Sequence, residues 1–256
     1  MDTTQLKDML NVLENEFFLF KMDGTIVTLI HKETNIPFQL ILNGEFIMGF
    51  SSEEEQAAKI LCNPLPFDAQ NLRPTHLVKL NPFLISQTPL TNYQLQNLFP
   101  TWKYHVGNEH SPANVDFELI QKIQKITEMR IPFEEEWEYA CRGFTKSLFV
   151  FGDKLPNEKE LYQWLSCDFS DLNKLKANAF GLYGLFAGEW CGNNYKENYV
   201  STIQSVWKTI RGGGSLFYPW QDEEWIWCMS SMRMSSEDLG ENGTAAFRLV
   251  RELGCK

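Results

Sequence analysis

The chain has few residues whose type and spacing could do chemistry. Its six cysteines, Cys62, Cys141, Cys167, Cys191, Cys228 and Cys255, are widely separated and include no C-x-x-C pair, so neither a zinc site nor a redox dithiol is signalled. His31, His76, His105 and His110 fall outside any H-x-x-x-H-x-E spacing, and His105 and His110 read as solvated loop residues. Neither a phosphate-cradling Gly loop of Walker type nor a serine nucleophile elbow is present. Two groupings remain. Glu134, Glu135 and Glu136 are consecutive carboxylates, which could serve as acids, bases or metal ligands. Leu216 to Trp227 packs five aromatics and three acids into twelve residues, a composition suited to gripping a peptide, because Tyr and Trp give large contact area at low entropy cost. Tyr218, Trp220, Glu223, Trp225 and Trp227, with Asn193 and Asn194, are therefore the candidate partner-binding residues. The plainer reading of the same stretch is that Trp225 and Trp227 point inward from a strand into the core.

The elements that would position these residues follow from periodicity. Leu6, Met9, Leu10 and Leu13 recur at helical spacing, which predicts an amphipathic helix over 4–15. Apolar β-prone runs at 17–20, 25–30 and 37–42, broken by Asp23-Gly24 and by Lys32 to Asn35, predict a hairpin extension that packs on the main domain or covers a sheet edge. Ser51 to Thr75 reads as a loop interrupted by prolines, with a short helical turn near Glu54 to Leu61, and His76 to Phe83 as a strand. Thr91 and Gln94 form a capping-box signature for a short helix ending before Pro100, and Asp116 caps a second helix through Ile126. A third helix carries the glutamates, with Phe133, Trp137, Ala140 and Cys141 on one face and the three acids in a solvated first turn that the helix dipole favours.

Several segments, in fixed order, resemble one family. Gly44 to Gly49 is similar to the G-x-F-x-M-G opening, and Arg130 to Gly143 to the R-L-P-T-E-x-E-W-E-Y-A-x-R-G core, of the formylglycine-generating enzyme (sulfatase-modifying factor) family. Thr88 to Tyr93, Asn178 to Phe186, Ile210 to Ser215 and Ala246 to Val250 are similar to its E-V-T-N-x-x-Y, N-x-F-G-L-Y-D-M, R-G-G-S and G-F-R-L-V segments. The resemblance runs from about residue 40 to 252. It implies a compact α+β fold of the formylglycine-generating-enzyme/C-type-lectin-like kind, with short strands, few helices and long irregular loops. Residues 1–42 are then an N-terminal helix plus hairpin extension, and residues 43–256 the main domain. The family has Thr where this chain has Phe133, and loss of that N-cap hydroxyl costs about 1 kcal/mol unless something replaces it.

The resemblance also implies chemistry from which this sequence departs. Such enzymes oxidise a substrate cysteine using oxygen and a copper ion held by two cysteines, which follow the R-G-G-S serine at the third and eighth positions. Counted from Ser215, those positions are Tyr218 and Glu223, and neither replaces a thiolate for Cu(I). Cys228 is the loop's one thiol, and a displaced metal site would need a distant cysteine such as Cys191 to approach it. The family's calcium-associated G-N-V-W-E-W segment corresponds, without a gap, to Ala187 to Gly192, placing Gly188 at its Asn and Cys191 at its Glu. A two-residue gap puts Glu189 on the Glu but deletes the Asn, so a hard oxygen ligand is lost either way. A branch that binds iron through histidines has no counterpart motif here.

Composition bounds the rest. With 43% hydrophobic residues a sizeable core is available, and 33 acidic against 23 basic residues give a net charge of −10, with no Lys/Arg cluster to track a phosphate backbone. Nucleic acid is therefore not expected as a direct partner. The N-terminus lacks a secretion-signal pattern and no apolar run is long enough to span a bilayer, so the expected address is cytoplasmic, with no membrane association. The leading expectation is a non-catalytic binding or scaffolding domain, a pseudoenzyme without cofactor or metal, that recognises a protein or peptide in a regulatory setting. The alternatives are an oxidase of the formylglycine-generating type with a rearranged site, and a lectin-like binder of small ligands.

Overall fold

A computed structural model describes residues 3–105, 107–155, 157, 168–213, 222–240 and 243–253. Its main sheet has five antiparallel strands in the order β1 (Phe17–Asp23), β2 (Ile26–His31), β3 (Pro37–Ile41), β6 (Phe83–Ser86) and β10 (Val250–Glu252). The two edges come from opposite ends of the chain. The N-terminal helix α1 (Thr3–Leu13) leads into the hairpin as its periodicity demands, and Gly24 makes the turn at φ +59. Because β3 is hydrogen-bonded to both β2 and β6, with Phe38 opposite Ser86 and Ile41 opposite Phe83, the N-terminal hairpin and strands from later in the chain share one sheet.

Successive side chains of a strand point to opposite faces, and β6 is buried on both. Leu84 joins Phe38, Leu40 and Leu249 in a core closed by α1, by Ile120 and Ile123 of α4 (Phe117–Thr127), and by Trp190. Phe83 and Ile85 face the other way, onto Trp137, Tyr139 and Ala140 of α5 (Glu134–Arg142). A third cluster collects Phe50, Leu148, Phe149, Trp225 and Met229. Two smaller antiparallel sheets complete the α+β fold: β4 (Gly44–Met48) with β5 (His76–Leu80), and β7 (Glu189–Asn194) with β8 (Lys208–Arg211) and β9 (Arg233–Ser235).

The expected caps are present. Thr91 and Gln94 exchange both capping-box hydrogen bonds at the start of α3 (Asn92–Leu98), and Asp116 accepts from Leu119 N at 2.7 Å to open α4. Two readings are corrected. The single strand expected over 76–83 is divided between two sheets at Asn81-Pro82, since proline lacks the N–H a continuous ladder needs. The helical turn near 54–61 is a full helix, α2 (Ser52–Leu61), opened by a capping box in which Ser51 and Glu54 satisfy each other's backbone N–H. The Ser51-x-x-Glu54 spacing carried that signal.

Candidate functional site

The glutamates of α5 are not solvated, which corrects the sequence reading. Glu134 and Glu136 are buried and Glu138 is fully so, because each meets a guanidinium delivered by a remote segment. Arg233 of β9 grips Glu134 through two hydrogen bonds of 2.8 and 3.1 Å, and Arg130 holds Glu136 through two of 2.6 Å. Glu138 accepts from Arg142 at 2.9 Å, from Gly49 N at 3.0 Å, and from Arg211. Arg142 bridges on to Glu54 at 2.9 Å and to Gly49 O at 3.0 Å, tying α2 and β4 to the end of α5. Burial opposes the charge on Arg142, yet Glu138 and Glu54 outweigh it and hold its pKa above the usual arginine value. Low local dielectric makes such pairs strong when complete and costly when broken.

The other recognisable residues do similar work. Arg248 is buried and donates to Glu189 at 2.8 Å, to Ser86 O and Gln87 O at 3.1 and 3.0 Å, and to Tyr183 O. Glu189 is thus closed in by a guanidinium, which suits a structural ion pair rather than a calcium ligand. Asn178 donates to Ala140 O at 2.6 Å and accepts from Phe180 N and Leu182 N, fastening its turn to the end of α5. Arg211 donates to Ser231 O and Met232 O, both at 2.9 Å, pinning that turn beside α5. The following glycines allow close approach: at Gly213, φ +70, an added Cβ would stand 2.5 Å from Trp227 O.

Among the expected partner-binding residues, Asn193 and Asn194 are turned to the fold. Asn193 Oδ1 accepts from Glu134 N at 2.6 Å and its Nδ2 donates to Glu135 at 3.2 Å. It satisfies the first free N–H of α5 from outside the helix, while Glu136 accepts from Phe133 N at 2.8 Å. Asn194 Oδ1 accepts from Lys208 Nζ at 2.6 Å. Trp225, 9% exposed, packs edge-on to Phe151 at 6.3 Å, and half-buried Trp227 tilts against Phe67 at 5.8 Å. Both are core-packed as the plainer reading has it, though from a 3-10 helix, Asp222–Cys228, rather than a strand. Tyr218 and Trp220 lie outside the described residues, as does the side chain of Glu223.

Burial pushes the Cys141 thiol up to about 12, and burial likewise holds the Cys191 thiol well above its usual value. Cys141 donates to Ser230 Oγ at 3.6 Å. Among the described residues, no three His, Cys, Asp or Glu side chains gather as a metal-ligand set, and no helix is long and apolar enough to cross a membrane.

One open groove of about 840 Å³ lies between β4, the start of α2 and the turn that follows α5. Ile47 and Leu77, an opposed pair on β4 and β5, line it at 50% and 54% exposure. Phe144 stands at its wall, 72% exposed, at φ +68, with its ring 4.4 Å from that of Phe180. The sequence offered no local signal for this groove, since its walls are brought together from segments a hundred residues apart.

Comparison with known proteins agrees with this architecture. The model of the sulfatase-modifying factor enzyme 1-like domain matches residues 30–253. PvdO from Pseudomonas aeruginosa is similar in fold at a TM-score of 0.61 and 18% identity, over 91% of this chain and 100% of that one. Treponema denticola variable protein 1 is similar at a TM-score of 0.55 and 15% identity, over 91% and 98%. No curated protein matches the chain in sequence.

Proposed function

Since the chain belongs to the sulfatase-modifying factor enzyme 1-like family, we propose that it keeps the fold without the copper chemistry and acts as a non-catalytic domain that recognises a protein or peptide partner. The observation that carries this reading is the donor set. Tyr218 and Glu223 stand where the family motif calls for thiols, and a phenol and a carboxylate are poor ligands for Cu(I). Two of the described thiols, Cys141 and Cys191, are poor substitutes, because they are fully buried and held protonated, and it is the thiolate that binds metal. These residues do not fit a copper ion.

In this reading Trp225 and Trp227 anchor the aromatic-acidic segment to the core, and Tyr218, Trp220 and Glu223 contact the partner. The domain's output is regulatory, delivered through what it binds. The test is an aldehyde-trapping assay on cysteine-containing peptides with Cu(I) and oxygen, beside an active member of the family. No aldehyde is expected from the folded protein. Aldehyde that disappears in Cys191→Ser or Cys228→Ser would establish a displaced metal site and overturn the proposal. Partner capture should be lost in Tyr218→Ala/Trp220→Ala with the melting temperature unchanged.

A further inference from the structure

The groove bordered by β4 is a second place of interest, separate from the 216–227 segment. We propose that it binds an extended peptide of alternating apolar and basic residues, which adds as a strand along the free edge of β4. Three observations lead there.

The first is the geometry of the lining. Glu45, Phe46 and Ile47 are consecutive, and all three line the groove. Neighbouring side chains of a strand point to opposite faces, so a cavity that touches three in a row wraps the strand's edge instead of lying on one face. From β5 and the residue before it only Leu77 and Thr75, two apart, reach the groove. β4 pairs with β5 alone, so among the described residues no strand lies along its other side. An extended segment laid there would meet the edge of β4 that pairs with no strand among the described residues, the recognition mode of strand addition.

The second is exposed apolar surface at a strained position. Ile47, Leu77 and Phe144 leave half or more of their side chains in water. A bulky residue at positive φ is costly, and Phe144 is held there by the packing of its ring on Phe180 and Tyr139. The strain presents an aromatic face to the groove, where apolar side chains on one side of an added strand would cover it.

The third is charge. Glu45, Glu53 and Asp153 are exposed carboxylates on the rim, against the single exposed ammonium of Lys146. Glu45 reaches Lys79 at 3.6 Å, a loose solvent-exposed contact of little weight. Arg142 and Glu54 at the base neutralise each other in a buried pair. The rim is therefore net acidic in a chain of charge −10, and it complements Lys or Arg side chains on the outer side of the same peptide.

The test is fluorescence anisotropy of the full chain with a capped, fluorescein-labelled octapeptide of alternating Val and Lys, beside a Val/Glu octapeptide. Saturable binding of the Val/Lys probe alone is expected. It should weaken severalfold in Ile47→Ser, which removes apolar contact without changing charge, and at least tenfold in Glu45→Gln/Glu53→Gln/Asp153→Asn, with unchanged melting temperatures. N-methylation of alternate peptide nitrogens, in the register that faces β4, should abolish it. Absence of saturable binding overturns the proposal. So does binding that survives N-methylation or the triple variant, which would be general attraction to an acidic surface, and so does equal binding of Val/Glu. A concentration-dependent dimer that excludes the peptide would assign the edge to a second copy of this chain and overturn it as well.

Discussion

Replacing Asn193 by Ala should weaken α5 although Asn193 lies 59 residues away from the N–H it caps. The side chain makes two contacts, Oδ1 with Glu134 N at 2.6 Å and Nδ2 with Glu135 at 3.2 Å. Loss of a cap costs about 1 kcal/mol. The longer, half-exposed hydrogen bond to Glu135 adds about 1 kcal/mol. A total near 2 kcal/mol lowers the melting temperature of a chain this size by about 4–8 °C. The decisive measurement repeats Asn193→Ala in a Phe133→Thr background, using urea and thermal unfolding. A threonine at 133 would offer its hydroxyl to Glu135 N or Glu136 N, not to Glu134 N, so the cost of losing Asn193 should be nearly the same in both backgrounds. Phe133→Thr itself loses the stacking of Arg130 over the ring, at 4.4 Å, but that loss is common to both members of the pair. A cost that vanishes in the Phe133→Thr background, or one below about 0.5 kcal/mol in the native one, would refute the capping argument.

Glu138→Gln should cost about 3–5 kcal/mol in urea unfolding, because it leaves buried Arg211 without the carboxylate it pairs with and Arg142 with Glu54 alone, and a loss under about 1 kcal/mol would mean water or relaxation replaces it. The N-terminal hairpin should loosen in acid. Hydrogen bonds from Arg251 hold the Glu16 carboxyl below its usual value, and burial holds His31 below the usual imidazole value. Both folded values are depressed, so each contribution is complete above the unfolded value and is lost as pH falls through the folded one, starting near about pH 6.5 for His31 and about pH 4.3 for Glu16. Amide protection over 17–31 should fall in two stages on acidification, and Arg251→Met should remove the lower stage. Protection that stays level from neutral pH down to about 4 would contradict the assignment of His31.

How far the sequence could be read depends on the distance over which each interaction acts. The caps of α3 and α4 join residues three apart, the hairpin turn is Asp23-Gly24, and the face of α5 repeats every three or four positions. These were legible because both partners stand in one short window. The ordered segments from Gly44 to Val250 likewise identified the family before any coordinates, since the same residues are needed to close the same contacts. The fate of the charges was not legible. Glu134 looked like a solvated first-turn acid until Arg233, 99 residues away, was folded against it, and Glu138 is bound to Arg211 across 73 residues. Asn193 reads in sequence as an exposed loop amide, and only the fold makes it a helix cap. The groove beside β4 has walls drawn from β4, α2 and the turn after α5, with no local pattern in any of them. Local hydrogen bonding is written in residue order and survives in the sequence. Burial, charge pairing and cavities arise when remote segments share one desolvated space, and that space exists only in the tertiary structure.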